Sequence, residues 1–226
     1  MEEKNQEILK AMKETGMVPV FNHPDFEVAK KVLDSAYSAG VRVFEFTNRE
    51  ENALEVFRQL KIHASQYGGL FLGIGTIFTS VQAKEFINAG ADFVVSPALV
   101  PQVIIACKEA EVLSIPGCAT VTEVFHATEL GVNMVKAFPS DLLGPTFVKS
   151  VLSVMPDVRI MPTGGVAPAF PLLEEWFHSG VHCVGMGSQL LKKEYIKDEK
   201  YGALQEAISG CLDMIRQIRR EGECLT

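Results

Sequence analysis

A lysine interrupts a stretch of sequence that otherwise predicts a buried β-strand. In VNMVKAFPS, residues 132–140, apolar side chains flank Lys136 on both sides. Such a place rarely holds an ammonium group. Either the lysine stem packs on apolar neighbours while the ammonium reaches water, or Lys136 is an amine nucleophile. A desolvated lysine near another cation loses its proton more easily, and the free amine can form a Schiff base with a ketone. The strand alone leaves both explanations open.

A second charge stands in a second apolar strand. In VRVFEFTNR, residues 41–49, Glu45 lies inside the run and Arg49 follows its end. An ion pair with Arg49 or Lys136 would explain Glu45 as a purely stabilising residue. A carboxylate beside an amine nucleophile is, however, what proton transfer during Schiff-base chemistry requires. The guanidinium of Arg49 suits a substrate carboxylate.

A repeated pattern predicts how these side chains are positioned. A helix ending in glycine precedes an apolar strand in SAGVRVFEFT, NAGADFVVSP, ELGVNMVKAF and HSGVHCVGMG, and more loosely in ETGMVPVF. Three further strands follow from composition, which gives eight, centred near Val18, Val43, Leu72, Val94, Leu113, Met134, Ile160 and Val184. We predict an α/β fold, a (β/α)8 TIM barrel with an extra N-terminal helix, forming one domain over residues 1–226. An open doubly wound sheet is the alternative, but no GxGxxG follows the first strand.

Polar residues collect where the predicted strands end, which is where barrels of this kind carry their chemistry. Glycine-rich turns follow strands seven and eight, in PTGG (162–165) and GMGS (185–188). Backbone N–H groups of such turns can bind a phosphate. The strand-end residues are Glu45, Thr47, Arg49, Thr76, Ser96, Pro97, Thr120, Lys136, Thr163, Gly164, Gly165, Gly187 and Ser188.

Composition excludes several other classes of function. The chain has 226 residues, a formal net charge of −7 and no basic stripe, so nucleic acid is not an expected partner. No apolar run is long enough for a membrane span, and the N-terminal stretch lacks the apolar core of a signal peptide. Five cysteines (107, 118, 183, 211 and 224) form no CxxC pair, which favours reduced thiols in the cytoplasm.

Metal and serine-hydrolase chemistry find little support. His178 and His182 have i, i+4 spacing, but Gly180 between them ends the helix, so they would not share a helix face. No nucleophile-elbow motif is present. We therefore predict no metal site.

The ordered set of motifs resembles the KDPG/KHG aldolase family, class I enzymes that cleave 2-keto-3-deoxy-6-phosphogluconate or 4-hydroxy-2-oxoglutarate. The resemblance covers roughly residues 17 to 192. Its motifs are EFTNR (45–49), GIGT (73–76), VSPAL (95–99), IPGCATVTE (115–123), VKAFPSD (135–141), PTGG (162–165) and GMGSQL (185–190).

The resemblance implies a role for each site residue. Lys136 resembles the Schiff-base lysine and Glu45 the general acid/base, while Arg49 and Thr76 match the residues that hold the pyruvate carboxylate. Pro97, Phe138 and Thr163 would line the pocket, and Gly164, Gly165, Gly187 and Ser188 would bind phosphate. A cytoplasmic homotrimer without cofactor or metal is also implied.

Three positions depart from the family pattern near the predicted mouth: Asn48, Ala98 and Ala137. They leave the chemistry intact and bear on substrate preference. The leading hypothesis is aldol cleavage of a 2-keto-3-deoxy-6-phospho sugar acid to pyruvate and glyceraldehyde 3-phosphate. The alternatives are a phosphosugar epimerase or isomerase on the same barrel and a non-catalytic sugar-phosphate-binding barrel.

Overall fold

The computed structural model describes residues 2–223, and side chains from residue 3 to residue 222; Cys224 lies outside this range. Helices and strands alternate along it. The helices are α1 (Glu2–Thr15), α2 (Phe26–Ala39), α3 (Ala53–Ala64), α4 (Ser80–Asn88), α5 (Pro101–Glu109), α6 (Val121–Glu129), α7 (Ser140–Val154), α8 (Phe170–His178), α9 (Lys193–Lys197) and α10 (Tyr201–Glu223). The strands are β1 (Met17–Phe21), β2 (Val43–Thr47), β3 (Phe71–Gly75), β4 (Phe93–Val95), β5 (Leu113–Ile115), β6 (Gly117–Cys118), β7 (Met134–Ala137), β8 (Arg159–Pro162) and β9 (Val184–Met186).

All the paired strands run parallel, in an α/β fold whose sheet curves into a half-barrel. One sheet has the order β5-β4-β3-β2-β1-β9, and a second has the order β6-β7-β8. A parallel bridge pairs Thr163, directly after β8, with Gly185 of β9. Each of the eight predicted strand centres falls inside a strand.

The predicted fifth strand is interrupted. Residues 113–118 form two short strands, β5 and β6, separated by Pro116. A proline has no backbone N–H to donate to a neighbouring strand, so the ladder breaks there. The carbonyl of Pro116 still accepts a hydrogen bond of 2.8 Å from the backbone N–H of Lys136.

The inner faces of the strands share a core with the first helix. Ile8, Leu9 and Met12 of α1 are buried in a cluster with strand side chains. The strand members of this inner cluster are Val18, Val43, Phe93, Val95, Leu113, Ile115, Met134 and Met161, with Cys183 just before β9. An apolar stripe on α1 therefore covers the inward-facing side chains near the N-terminal ends of the strands.

The outer faces of the strands pack against the surrounding helices in a larger cluster. Side-chain caps and a glycine define several of the helix ends. Thr79 and Gln82 form a capping box at the start of α4, and the Thr120 hydroxyl accepts a 3.2 Å hydrogen bond from the N–H of Glu123 at the start of α6. Gly40 ends α2 with a φ of 111°, a left-handed conformation that few other residues adopt.

The histidine, glycine and cysteine residues considered above for metal binding or redox chemistry contribute to the packing of the fold. Gly180 has a φ of 94° after α8, and the Nε2 atom of His182 lies 2.8 Å from the Leu9 carbonyl, where it joins β9 to α1. Cys107, Cys118, Cys183 and Cys211 are buried free thiols. Among the described residues, no helix is long and apolar enough to cross a membrane.

Candidate active site

Strand alternation points Lys136 inward. Its neighbour two residues earlier, Met134, belongs to the inner cluster, whereas Val135 and Ala137 belong to the outer one. Successive side chains of a strand point to opposite faces, so Lys136 shares the inner face with Met134. The lysine side chain is only 7% exposed, and its Nζ atom lies 5.2 Å from the centre of the Phe138 ring. The ammonium is therefore largely withdrawn from water.

Glu45 occupies the matching place on β2. Val43 is in the inner cluster and Phe44 and Phe46 are in the outer one, so Glu45 also points inward. Its side chain is fully buried, and Oε1 lies 3.7 Å from Lys136 Nζ. Neither carboxylate oxygen has a hydrogen-bond partner among the described residues.

Burial raises the pKa of Glu45 above its ordinary value, and the charges of Lys136 and Arg49 oppose that rise. Desolvation is the largest of these effects because it disfavours the charged form. A carboxylate that binds a proton more readily than usual, beside an amine, can exchange protons with a substrate bound between them.

Two glycines leave room for these inward side chains. A β-carbon on Gly75 of β3 would lie 1.9 Å from Glu45 Oε1, so only glycine fits beside the carboxylate. On β9, a β-carbon on Gly185 would lie 2.3 Å from the Thr163 hydroxyl oxygen. That hydroxyl is buried without a hydrogen-bond partner among the described residues. It can therefore serve a ligand in the space it faces.

Thr76 holds an unusual backbone conformation directly after β3. Its φ is 64°, which is rare for a β-branched residue and costs free energy. Thr76 lines the same cavity as Arg49, which follows β2. A guanidinium and a hydroxyl at adjacent strand ends can hold a carboxylate.

The glycine turn after β8 is held against the end of β7. Gly164 and Gly165 have φ values of 94° and 75°. Ser140 stands at the start of α7. Its hydroxyl donates a hydrogen bond shared between two carbonyl oxygens, that of Thr163 at 2.7 Å and that of Ala137 at 3.0 Å. This hydroxyl connects the end of the lysine-bearing strand to the turn at Gly164.

A cavity of about 880 Å³ brings the predicted residues together. Of the residues to which the family resemblance gives a role, all except Glu45 line it, and Glu45 lies behind Lys136. Of the other strand-end residues, Thr47 lines the cavity, whereas Ser96 and Thr120 do not. The lining includes Arg49, Thr76, Pro97, Lys136, Phe138, Thr163, Gly164, Gly165, Gly187 and Ser188. A second cleft, of about 870 Å³, is lined by residues of α1, α8 and α10 and contains none of them.

The departures from the family pattern do not line this cavity. Ala137 belongs to the outer cluster, because it is one residue after Lys136 and so faces the helices. Asn48 and Ala98 are also outside the cavity lining. The expectation that these three positions bear directly on substrate preference is therefore not supported by the contacts.

Sequence reasoning missed other lining residues. Asn22 and His23 follow β1 and line the cavity. The same rule that assigned the ends of the other strands to the site could have predicted them. Glu50 is held by a 2.9 Å hydrogen bond from Asn22 and also lines the cavity. Lys193 and Lys197 of α9 complete the set of missed charges. Their i, i+4 spacing in the segment after β9 was the signal that the sequence offered.

Comparison with known proteins identifies a family. The sequence model of the family "KDPG and KHG aldolase" matches residues 8–207. The chain is 36% identical over 160 residues to 2-dehydro-3-deoxy-phosphogluconate aldolase of Treponema pallidum (strain Nichols), covering 70% of this chain and 75% of that protein. It is 30% identical over 199 residues to KHG/KDPG aldolase of Escherichia coli (strain K12), covering 86% of this chain and 91% of the relative.

A solved structure shows the same likeness in three dimensions. The crystal structure of KDPG aldolase from Legionella pneumophila, with pyruvate captured as a covalent carbinolamine intermediate, superposes with a TM-score of 0.82 at 27% identity. The match covers 90% of this chain and 97% of that one. Since the family match extends over most of the sequence, this chain belongs to the KDPG and KHG aldolase family.

Proposed function

We propose that the protein is a class I aldolase. It reversibly cleaves 2-keto-3-deoxy-6-phosphogluconate, or a related 2-keto-3-deoxy sugar acid or 4-hydroxy-2-oxoglutarate, to pyruvate and an aldehyde such as glyceraldehyde 3-phosphate. The observation that carries the proposal is the buried pair of Lys136 and Glu45, 3.7 Å apart, with no hydrogen bond from described residues to the carboxylate. Family membership and the relatives' names support the same reaction.

The first stage forms the Schiff base. The neutral amine of Lys136 attacks the C2 ketone, and the carbinolamine then loses water to give an iminium ion. In this proposal Glu45 takes the proton that the ammonium must release, and the rise that burial causes in the pKa of its carboxyl group supports this role. Phe138, beneath the amine, and Pro97 enclose this centre.

The second stage breaks the carbon–carbon bond. Glu45, through a water molecule, removes the proton of the C4 hydroxyl, and the electron pair of the C3–C4 bond passes to the iminium. The aldehyde leaves and an enamine remains. Protonation at C3 and hydrolysis of the resulting iminium release pyruvate and restore the free amine.

The remaining residues hold the substrate in this proposal. Arg49 and Thr76 bind the carboxylate. The Thr163 hydroxyl, which has no hydrogen-bond partner among the described residues, faces the bound keto acid. The phosphate lies on the turns after β8 and β9, formed by Gly164, Gly165, Gly187 and Ser188. No cofactor and no metal take part in this scheme.

We also propose a closed (β/α)8 barrel, with α1 as an extra N-terminal helix and residues 1–226 as one domain. The bridge between Thr163 and Gly185 supports closure, because it joins the last strands of the two sheets. The other gap in the ring lies between β5 and β6, and the split of one predicted strand at Pro116 accounts for it. The inner cluster that Ile8, Leu9 and Met12 share with the strands supports α1 as the plug of the barrel.

A cytoplasmic homotrimer is the proposed state of the enzyme. Support comes from large apolar side chains that are about half exposed or more: Val81 of α4, Ile105 of α5, Val121 and Phe125 of α6, and Phe78 in the segment just before α4. An exposed apolar face of this kind commonly marks a subunit interface. Light scattering coupled to gel filtration should give three times the mass of the 24.8 kDa chain, and a monomeric mass would contradict the proposal.

Borohydride trapping tests the reaction directly. Treatment with pyruvate and borohydride should add the mass of a reduced pyruvate imine irreversibly at Lys136, located by peptide mass spectrometry. An unmodified Lys136 would refute the mechanism. A panel of keto sugar acids, assayed for pyruvate, separates the aldolase from an epimerase or isomerase, and binding without turnover would indicate a non-catalytic barrel.

A further inference from the structure

One face of α9 is turned toward the cavity. Lys193, Ile196 and Lys197 all line it, and their i, i+3 and i+4 spacing places them on one side of the helix. Ile196 also packs against the outer core cluster, which holds α9 in this orientation. The two lysines are thus presented to the cavity by a packed helix.

α9 is connected directly to a glycine turn. The carbonyl of Gly187 accepts hydrogen bonds of 3.0 and 2.9 Å from the N–H groups of Leu190 and Leu191. Ser188 precedes Lys193 by only five residues. The helix that carries the lysines therefore begins next to the turn proposed to bind phosphate.

The proposed phosphate turns contain no cation of their own. Gly164, Gly165, Gly187 and Ser188 can donate hydrogen bonds but cannot neutralise charge, whereas a phosphate monoester carries between one and two negative charges at neutral pH. Arg49 and Lys136 are assigned to the other end of the substrate. Lysine binds phosphate well as a point charge.

The two α9 lysines are free to fill this role. Neither forms an ion pair or a hydrogen bond through its ammonium with any described residue. The nearby Lys200, by contrast, is paired with Asp198 at 2.8 Å. A cation without a protein partner at the edge of a cavity remains available to an anionic ligand and raises the local concentration of that ligand.

We propose that Lys193 and Lys197 form the cationic part of the phosphate site and select keto sugar acids that carry a phosphate at the end remote from the carboxylate. The proposal rests on the aldolase function above and narrows its substrate class. The uncharged turns supply geometry, and the two ammonium groups supply the charge that distinguishes a phosphorylated substrate from its dephosphorylated form.

The test compares two substrates in one assay. Pyruvate release is measured with 2-keto-3-deoxy-6-phosphogluconate and with 2-keto-3-deoxygluconate, and the ratio of their kcat/KM values is the readout. In the double variant Lys193→Met, Lys197→Met this ratio should fall about tenfold, the size expected for losing two partly solvated charge contacts. Lys193→Arg, Lys197→Arg should restore most of it. The wild-type ratio should also decrease as salt rises.

A matched control lies next to the pair. Lys192 is exposed on the same segment but does not line the cavity, so Lys192→Met should keep the wild-type ratio. An unchanged ratio in the double methionine variant would overturn the proposal. An equal fall in Lys192→Met would overturn it as well, because general surface charge would then be the cause. Borohydride trapping at Lys136 is scored separately, so a failed aldolase proposal is distinguishable from a failed lysine-pair proposal.

Discussion

Gly75 on β3 leaves the space that the carboxylate of Glu45 on β2 occupies: a β-carbon at this glycine would lie 1.9 Å from Oε1. Gly75→Ala should push the carboxylate away from Lys136. A displacement of about 1 Å can lower activity about 100-fold, and overpacking costs about 1–3 kcal/mol of stability. Steady-state kinetics and thermal melting measure both effects. Gly68→Ala, where no atom lies within 4 Å of the added carbon, is the control and should change neither.

Removing the amine should abolish the reaction while preserving the fold. Lys136→Met keeps the length of the side chain but cannot form an imine, so kcat should fall by more than about 10³-fold. Pyruvate with borohydride should then leave the variant unmodified. Lys149→Met, at an exposed lysine, should retain full activity. Appreciable turnover by the Lys136 variant would show that another group acts as the nucleophile.

Removing the carboxylate should slow proton transfer. Glu45→Gln should lower kcat by about 10²- to 10⁴-fold, because the amide cannot accept a proton. Incorporation of deuterium from solvent into the methyl group of pyruvate reports C3 proton exchange and should slow as well. A variant with unchanged exchange and turnover would assign the proton transfers to another residue.

The buried carboxyl also predicts a pH dependence of stability. Burial raises the pKa of Glu45 in the folded protein. Between the ordinary and the raised pKa, the folded protein holds a proton that the unfolded chain has released, so the free energy of unfolding falls as pH rises. Glu45→Gln removes this loss, and its stability relative to wild type should increase with pH across that window. Urea unfolding at a series of pH values measures the difference.

The control for this titration is Glu85→Gln, because Glu85 is exposed on α4. Its stability difference from wild type should be nearly flat over the same pH range. A flat difference for Glu45→Gln would mean that burial does not perturb this group. Activity should follow the same ionisation, with kcat/KM decreasing as pH falls through the raised pKa.

Thr76 combines a strained backbone with a proposed ligand contact. Its φ of 64° suits glycine better than a β-branched residue, so Thr76→Gly should not lower the melting temperature, since relief of about 1 kcal/mol offsets the added flexibility of the unfolded chain. The KM for keto acid should rise, because the hydroxyl is lost. Thr76→Ser should keep the wild-type KM. A strongly destabilised glycine variant would contradict the strain argument.

Much of the site was predictable because its residues are out of place in their strands. Lys136 and Glu45 stand in apolar runs, where a charge is conspicuous. The period of two in a strand puts them on the same faces as Met134 and Val43, and the structure shows that these are the inner faces. The lysines on α9 and the polar residues after β1 do not stand out from their neighbours in this way, since lysine, asparagine and histidine are ordinary on loops and short helices. The i, i+4 spacing of the two lysines is a much weaker signal than a charge inside an apolar strand. The role of Gly75 was also hidden, because it depends on a contact with a neighbouring strand.

The alternation of helices and parallel strands was predictable for a similar reason, up to one interruption. Helix-ending glycines and apolar strands repeat along the chain, and every predicted strand centre falls within a strand. The break at Pro116 follows from the missing N–H of proline. The amino-acid composition predicted the strand, but it could not show that a neighbouring strand requires a backbone N–H at position 116.

The hydrogen bonds of Ser140 have a consequence for substrate size. Its hydroxyl holds the carbonyls of Ala137, at the end of β7, and of Thr163, directly after β8, so the backbone next to Lys136 is fixed relative to the turn at Gly164. In the proposed binding mode, the ketone carbon is held at Lys136 and the phosphate at the glycine turn, so the cavity would select substrates by the number of carbon atoms between these two groups. A keto acid one carbon shorter or longer would engage only one end at a time.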